Sequence, residues 1–188
     1  MSILYSKKRL ITPEQIDFLL NYDSTVGAAS VYRRSSKTDK IMEDGILDRN
    51  HRSTSIKEMK ATDDCFAEIN QAIVTGISSF GPQWIPEDYY VFEYNYLIYN
   101  VGDHFQWHND QYIPEDDTPK REFSTSTILS LSDDLSGGDF EISSDDGWSQ
   151  TVPLTVGETI FFKSTTRHKV NRLDVGKRIS LVAWIGKK

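Results

Sequence analysis

The chain has 188 residues, with 21 Lys and Arg against 28 Asp and Glu, for a net charge of −7. That length suits one domain, and the acidic balance argues against a nucleic-acid binder. The single Cys, Cys65, allows neither an internal disulfide nor a Cys-rich zinc module, no apolar run is long enough to span a membrane, and the opening MSILYSKKRLITPEQ lacks the pattern of a signal peptide, so the expectation is a soluble, cytoplasmic protein. The first element is a helix: Thr12 is an N-cap residue, Pro13 stands at the first helical position, and Gln15 follows three after the cap. Ile16, Leu19 and Leu20 supply its apolar face. Residues 31–60 are polar and rich in basic groups, which fits either a lid or a pair of weak strands. A second helix is expected from Thr62 to about Thr75, with Phe66, Ile69 and Ile73 at helical spacing, Cys65 buried and Gly76 as the stop.

From Tyr89 the texture changes. YYVFEYNYLIY is aromatic and β-branched, as strands prefer. Short apolar runs follow, divided by Gly and Asp: STSTILSLS, DFEIS, TVPL, ETIFF, HKVNRL and RISLVAWI. The expected class is α+β, mainly β, with one domain made of a helical part at 1–88 and a β-domain at 89–188, for which a jelly roll is the most economical closure. Charge is uneven along this half. Phe123 to Phe162 has no Lys or Arg, whereas Lys163 to Lys188 is basic with Asp174 alone opposing it; solvated faces of opposite sign are the commoner explanation, and a local positive field for a small anion is the functional one.

The stretch VGDHFQWHND is the most informative. Alternation along a strand puts His104, Gln106, His108 and Asp110 on one face and Phe105 and Trp107 on the other. His108 and Asp110, two apart, can converge on one ion, and a nitrogen–oxygen set suits Fe(II), Mn(II) or Zn(II) better than Ca(II) or Mg(II). Of the four histidines, His168, opening a strand-like run, is the best candidate for a distal ligand. HxD alone is a weak pattern, and a surface His beside an Asp is its commoner explanation. A second cluster changes the balance. Arg178 and Ser180 share one face of the last strand, while Ile179, Leu181, Ala183 and Ile185 take the other. An Arg directed into a barrel is costly unless it meets an anion, and its planar fork matches a carboxylate; the alternative is an exposed Arg on an edge strand.

These residues resemble the Fe(II)/2-oxoglutarate-dependent dioxygenases of the prolyl 4-hydroxylase-like group, most closely the PKHD-type branch. The resemblance rests on Tyr99-x-x-Gly102-x-x-Phe105-x-x-His108-x-Asp110, Gly137-Gly138-Asp139-Phe140, Gly157-Glu158 with Phe161-Phe162, His168-x-Val170, Gly176-x-Arg178-x-Ser180 and Trp184-Ile185, and covers about residues 90–186. It implies a double-stranded β-helix with iron held by His108, Asp110 and His168. It further implies that Arg178, assisted by Ser180, binds the distal carboxylate of 2-oxoglutarate, with Tyr99 facing the same pocket. Many members of the group carry a Tyr for that carboxylate on the strand occupied here by Thr127 to Ser130. The implied reaction consumes O2 and 2-oxoglutarate, with ascorbate as an accessory, and yields succinate, CO2 and a hydroxylated product. The presence of Asp110 favours hydroxylation over halogenation, since related halogenating enzymes vacate that ligand. The implied substrate is a peptide or protein residue, proline first, or a small molecule. His104 and Tyr112 are candidates to line its entrance. Against this stands a cupin-like metal-binding domain without turnover, which has no need of an inward Arg.

Overall fold

Alternating aromatic, β-branched and hydroxyl residues dominate the chain after Tyr89, and they fold as strands that bury one face against a partner layer. The computed structural model describes residues 5–29, 48–59, 61, 63–111 and 120–188. In chain order the strands are β1 (Tyr5–Arg9), β2 (Val26–Ala28), β3 (Arg52–Ser53), β4 (Ser55–Met59), β5 (Tyr89–Tyr99), β6 (His104–His108), β7 (Phe123–Leu131), β8 (Ser136–Gly137), β9 (Phe140–Ser143), β10 (Ser149–Val152), β11 (Glu158–Lys163), β12 (Arg167–Val170), β13 (Leu173–Val175) and β14 (Arg178–Lys187). A seven-stranded sheet has the order β1-β11-β7-β14-β5-β4-β2 and faces a five-stranded sheet of order β10-β9-β12-β6-β3, with β8 and β13 as a separate ribbon. This is the double-stranded β-helix expected for the β-half.

Two helices, α1 (Pro13–Asn21) and α2 (Ala67–Thr75), cover the outer face of the larger sheet. The molecule therefore has two cores. One lies between the helices and the sheet and includes Leu19, Phe66, Ile73, Phe161, Leu181 and Ala183. The other lies between the sheets and includes Leu97, Tyr99, Phe140, Ile142, Phe162 and Val170. Along β14 the division follows side-chain parity, as the alternation predicts. Ile179, Leu181, Ala183 and Ile185 join the helix-side core, while Arg178, Ser180, Val182 and Trp184 border a cavity between the sheets.

The capping box at α1 is complete. The Thr12 hydroxyl accepts from the Gln15 N–H at 3.2 Å, and the Gln15 side chain accepts from the Thr12 N–H at 3.0 Å. Thr12→Ala leaves the Gln15 N–H to water and is expected to cost about 1 kcal/mol, which thermal denaturation should register as a fall of roughly 2–4 °C for a domain of this size.

The N-terminal part differs from expectation, because residues 1–88 also contribute four strands. β1 pairs with β11 in the register Tyr5↔Phe162, and its Lys-rich sequence suits the edge it occupies. Within 31–60 the described residues form the weak strands β3 and β4, and the rest of that segment, including most of the expected lid, lies outside the described residues. The second helix starts with a 3-10 turn at Asp64–Phe66. The α-helix ends at Thr75 as expected, with Gly76 as its C-cap residue, and the chain runs on through a 3-10 segment to Phe80 before it turns at Gly81, where φ is 131°. Gly76 also serves packing, since a Cβ there would run into the Phe161 ring. Cys65 is exposed, not buried, because the helix turns Phe66 and Ile69 inward.

Candidate active site

β6 and β12 lie side by side in the smaller sheet, with His108 directly opposite His168. Asp110 follows β6, and its backbone N–H donates to Ser164 O at 2.9 Å, which turns the carboxylate back toward the two rings. One carboxylate oxygen lies 3.7 Å from His108 Nε2 and the other 3.7 Å from His168 Nε2. The ligand atoms of all three residues fall within 4.8 Å of one another. Each imidazole places Nδ1 against a backbone carbonyl two residues earlier, Gln106 O at 2.7 Å for His108 and Thr166 O at 3.1 Å for His168. A carbonyl accepts only, so Nδ1 carries the proton and the Nε2 lone pair is left facing the cluster. Two imidazole nitrogens and one carboxylate oxygen, with the cavity on the remaining side, can hold one divalent cation and leave positions open to other ligands.

The face-sharing expected for His104 does not hold. The β6–β12 register slips between His168 and Val170, so that Val170 opposes Phe105 while His168 opposes His108. Such a bulge breaks strict alternation and re-aims side chains. Phe105 therefore joins His108 at the cavity, with ring centroids 3.4 Å apart and planes 15° from parallel. His104 points elsewhere: Nδ1 lies 3.3 Å from Ser53 Oγ and Nε2 3.1 Å from Asn50 O. It is not among the residues lining the cavity. Trp107 is not core either, since the Arg167 and Lys169 side chains sit over its ring. Tyr112 lies outside the described residues.

The cavity between the sheets encloses about 420 Å³ including space open to solvent, and both the cluster and Arg178 border it. Arg178 is 2% exposed. Its Nη1 donates to Ser180 Oγ at 2.9 Å, Nη2 has no hydrogen-bond partner, and the guanidinium carbon lies 5.2 Å from the centre of the Tyr99 ring. Burial pushes its pKa down, with Tyr99 and Asp139 opposing that shift. An ionised guanidinium with an idle donor inside a core is an unsatisfied charge, and an anion in the cavity would complete it. The residues thus fit a bound dicarboxylate on the evidence of the orphaned nitrogen, and fit a metal on the evidence of the donor set. Gly138 explains its own place in the motif, because a Cβ there would meet Leu173 Cδ1 at 2.9 Å and lie 3.6 Å from Arg178 Cδ. Ser130 pairs with Ile179, whose side chain faces the helices, and it does not border the cavity.

Electrostatics favour the ligating forms. Burial, then the neighbouring His168, pushes His108 down to about 3, so its imidazole is neutral across the physiological range. Burial works against the Asp110 carboxylate. His168, His108, Arg121 and the Ser124 hydroxyl together outweigh it and hold the carboxyl below its ordinary range. Both shifts have one consequence for the metal-free chain. The unfolded chain takes up the His108 proton near pH 6.5 and the folded chain only near pH 3, so protons drive unfolding as pH falls through that interval. Asp110 adds in the same sense at lower pH. The melting temperature of the metal-free protein should fall steadily between pH 7 and pH 4, and His108→Gln should flatten the upper part of that profile.

Three residues at or beside the cavity carried no functional expectation from the sequence. Asn95 is buried on β5 and borders the cavity. Trp184 borders it too and carries the Arg121 guanidinium 3.5 Å from its ring centre. Its parity with Arg178 was the available signal. Arg52 lies over the Phe105 ring at 4.5 Å, and no local pattern in its polar segment marks it.

Residues 94–186 match the 2OG-Fe(II) oxygenase superfamily. Two PKHD-type hydroxylases are similar in sequence. The one from Psychrobacter sp. (strain PRwf-1) is 28% identical over 94 residues, which are 48% of this chain and 36% of that protein. The one from Teredinibacter turnerae is 29% identical over 104 residues, 54% of this chain and 45% of that protein. The matched stretch thus spans less than half of either relative. Among solved structures, a prolyl-4-hydroxylase from Pseudomonas putida superposes with a TM-score of 0.64 at 17% identity, covering 98% of this chain and 93% of the other. The viral collagen prolyl hydroxylase of Paramecium Bursaria Chlorella virus-1, in its 2OG complex, gives a TM-score of 0.65 at 16% identity, covering 99% and 97%. The matched residues contain the His108–Asp110–His168 cluster and the buried Arg178, on a fold shared with these solved structures along almost the whole chain, and residues 94–186 belong to the 2OG-Fe(II) oxygenase superfamily.

Proposed function

We propose that this protein is an Fe(II)- and 2-oxoglutarate-dependent hydroxylase of the prolyl 4-hydroxylase-like kind, acting on a peptidyl proline. The observation that carries the reading is the sharing of one cavity by a three-residue metal cluster and a buried guanidinium with an unpartnered nitrogen. A purely structural metal site has no use for that guanidinium. Hydroxylation is supported by the PKHD-type hydroxylases similar in sequence, and a peptidyl proline by the prolyl hydroxylases of like fold, one of them a collagen prolyl hydroxylase.

In this reading His108 and His168 offer Nε2 and Asp110 a carboxylate oxygen to iron. Bound there, Fe(II) with 2-oxoglutarate and O2 supplies the oxidising chemistry that yields succinate, CO2 and a hydroxylated product. The protein's part is placement and shielding. Arg178 and Ser180 hold the distal carboxylate of the cosubstrate, and Tyr99 walls that end. Phe105, Phe140, Phe162 and Val170 line the space around the two imidazoles and exclude water from it. The backbone carbonyls of Gln106 and Thr166 keep the imidazole protons on Nδ1, so the ligating nitrogens stay free.

A succinate-release assay in air, with a panel of proline-bearing peptides, matched peptides lacking proline, and free amino acids, tests the reading. Proline peptides should raise succinate formation several-fold and gain one oxygen atom each by mass spectrometry. Stimulation by free amino acids alone would move the substrate to small molecules, and no Fe(II)-dependent succinate at all would remove the oxygenase reading.

A further inference from the structure

A segment outside the family-matched residues reaches the cluster. The stretch from Asn50 to Met59 crosses from one sheet to the other: β3 pairs with β6 in the register Arg52↔Phe105 and Ser53↔His104, and β4 pairs with β5 in the register Ser55↔Ile98. The crossing is tied down at several points. Thr54 Oγ1 donates to Ile98 O at 2.8 Å, and Gln106 N–H donates to His51 O at 2.8 Å. The His104 ring spans Ser53 Oγ and Asn50 O. The two strands it grips carry His108 and Tyr99.

From the β3 side, Arg52, 9% exposed, lays its guanidinium over the Phe105 ring at 4.5 Å, and Phe105 stacks on His108 at 3.4 Å. The His51 ring meets Phe105 edge-on at 5.6 Å and 85°. The carbonyl bond at Nδ1 fixes one edge of the His108 imidazole but leaves its rotation about that bond open. A flat ring against its face removes that freedom. We propose that Arg52 and Phe105 are positioning residues, a stack by which the 50–59 segment holds the His108 imidazole at the angle the metal needs. This rests on the functional reading above, and it concerns residues that are not themselves ligands of the metal in that reading.

Positioning and plain charge make opposite forecasts for Arg52. A guanidinium near a cation site repels the cation, so if charge alone mattered, its removal would tighten metal binding. If the stack positions His108, its removal weakens binding, and partners that orient a ligand are worth about 10–100-fold in metal affinity.

The experiment titrates the whole 188-residue, metal-free chain with Co(II) alone, reading affinity and the visible absorption of the bound ion, with His168→Ala as the background for binding elsewhere. Arg52→Met and Phe105→Leu are each expected to raise the Co(II) dissociation constant about tenfold and to alter the absorption bands, while Phe105→Tyr, which keeps the ring plane, stays within about twofold of the parent. Circular dichroism checks that the variants fold, and the milder Arg52→Lys, which keeps the charge but loses the flat fork, should fall between parent and Arg52→Met even if Phe105→Leu does not fold. Tighter binding in Arg52→Met, or unchanged affinity and spectrum in Arg52→Met and Arg52→Lys, overturns the proposal and leaves the metal site standing. A parent chain that binds no Co(II) above the His168→Ala background overturns the metal reading together with the proposal.

Discussion

His108→Ala, Asp110→Ala and His168→Ala should each remove Fe(II)-dependent succinate formation and raise the dissociation constant for a divalent metal about a hundredfold. The size follows from the energy of protein metal sites. Four-ligand zinc sites bind with roughly 10–16 kcal/mol, or about 3 kcal/mol per ligand, and each 1.4 kcal/mol is tenfold. Here the three ligands lie on two neighbouring strands and the turn after one of them, so none has a spare neighbour to replace it among the described residues. Calorimetric titration with Mn(II) is the direct check. The three variants should diverge in the absence of metal. Asp110→Ala takes away a buried carboxylate that lies 3.7 Å from both imidazoles and is held below its ordinary range, so the metal-free melting temperature should fall less steeply as acid is added. His168→Ala removes a ring packed between Phe140 and Phe162 and leaves a cavity. His168→Ala binding Mn(II) as tightly as the parent would show that this imidazole is no ligand.

Arg178→Met should separate binding from stability in the opposite direction. The variant loses the fork that meets a carboxylate, and truncating one side of a buried charge pair costs about 2–5 kcal/mol, so the apparent KM for 2-oxoglutarate should rise about a hundredfold or more. The same variant in the ligand-free chain replaces a buried guanidinium, half satisfied by Ser180, with an apolar side chain of similar length. Such replacements are often neutral or stabilising, so the melting temperature should hold or rise. Mn(II) affinity should stay near the parent value, since Arg178 stands on β14 and is not one of the three residues of the cluster. A structural Arg would behave otherwise: its loss would destabilise the chain and leave KM alone. Arg178→Lys keeps the charge but not the planar fork and should recover only part of the affinity.

These two predictions draw on different sources. Arg178 and Ser180 were legible because β14 is a regular strand buried on both faces, and strict alternation put them on the side away from Ile179, Leu181 and Ala183. The same rule failed on β6. One register slip opposite β12 moved Phe105 onto the His108 face and turned His104 toward Asn50 and Ser53. A bulge depends on the partner strand as much as on its own residues, so the local pattern HFQWH holds no sign of it. Gly76 shows the same limit in another form. It ends the helix as its place in the sequence suggests, but its small size also answers to Phe161, some 85 residues away in the chain.

Residue order by itself determined the strand-rich half after Tyr89, the capped first helix, the pairing of His108 with Asp110 and the inward Arg178, because each depends on neighbours within a few positions or on the two-residue period of a strand. Only the tertiary structure decided that His168 lies opposite His108, that residues before Tyr89 complete both sheets, and that Arg52 and Phe105 stack beside the cluster. Those facts belong to strand pairing between distant segments, whose register is set by the packing of two whole sheets and is not written in any single run of the chain.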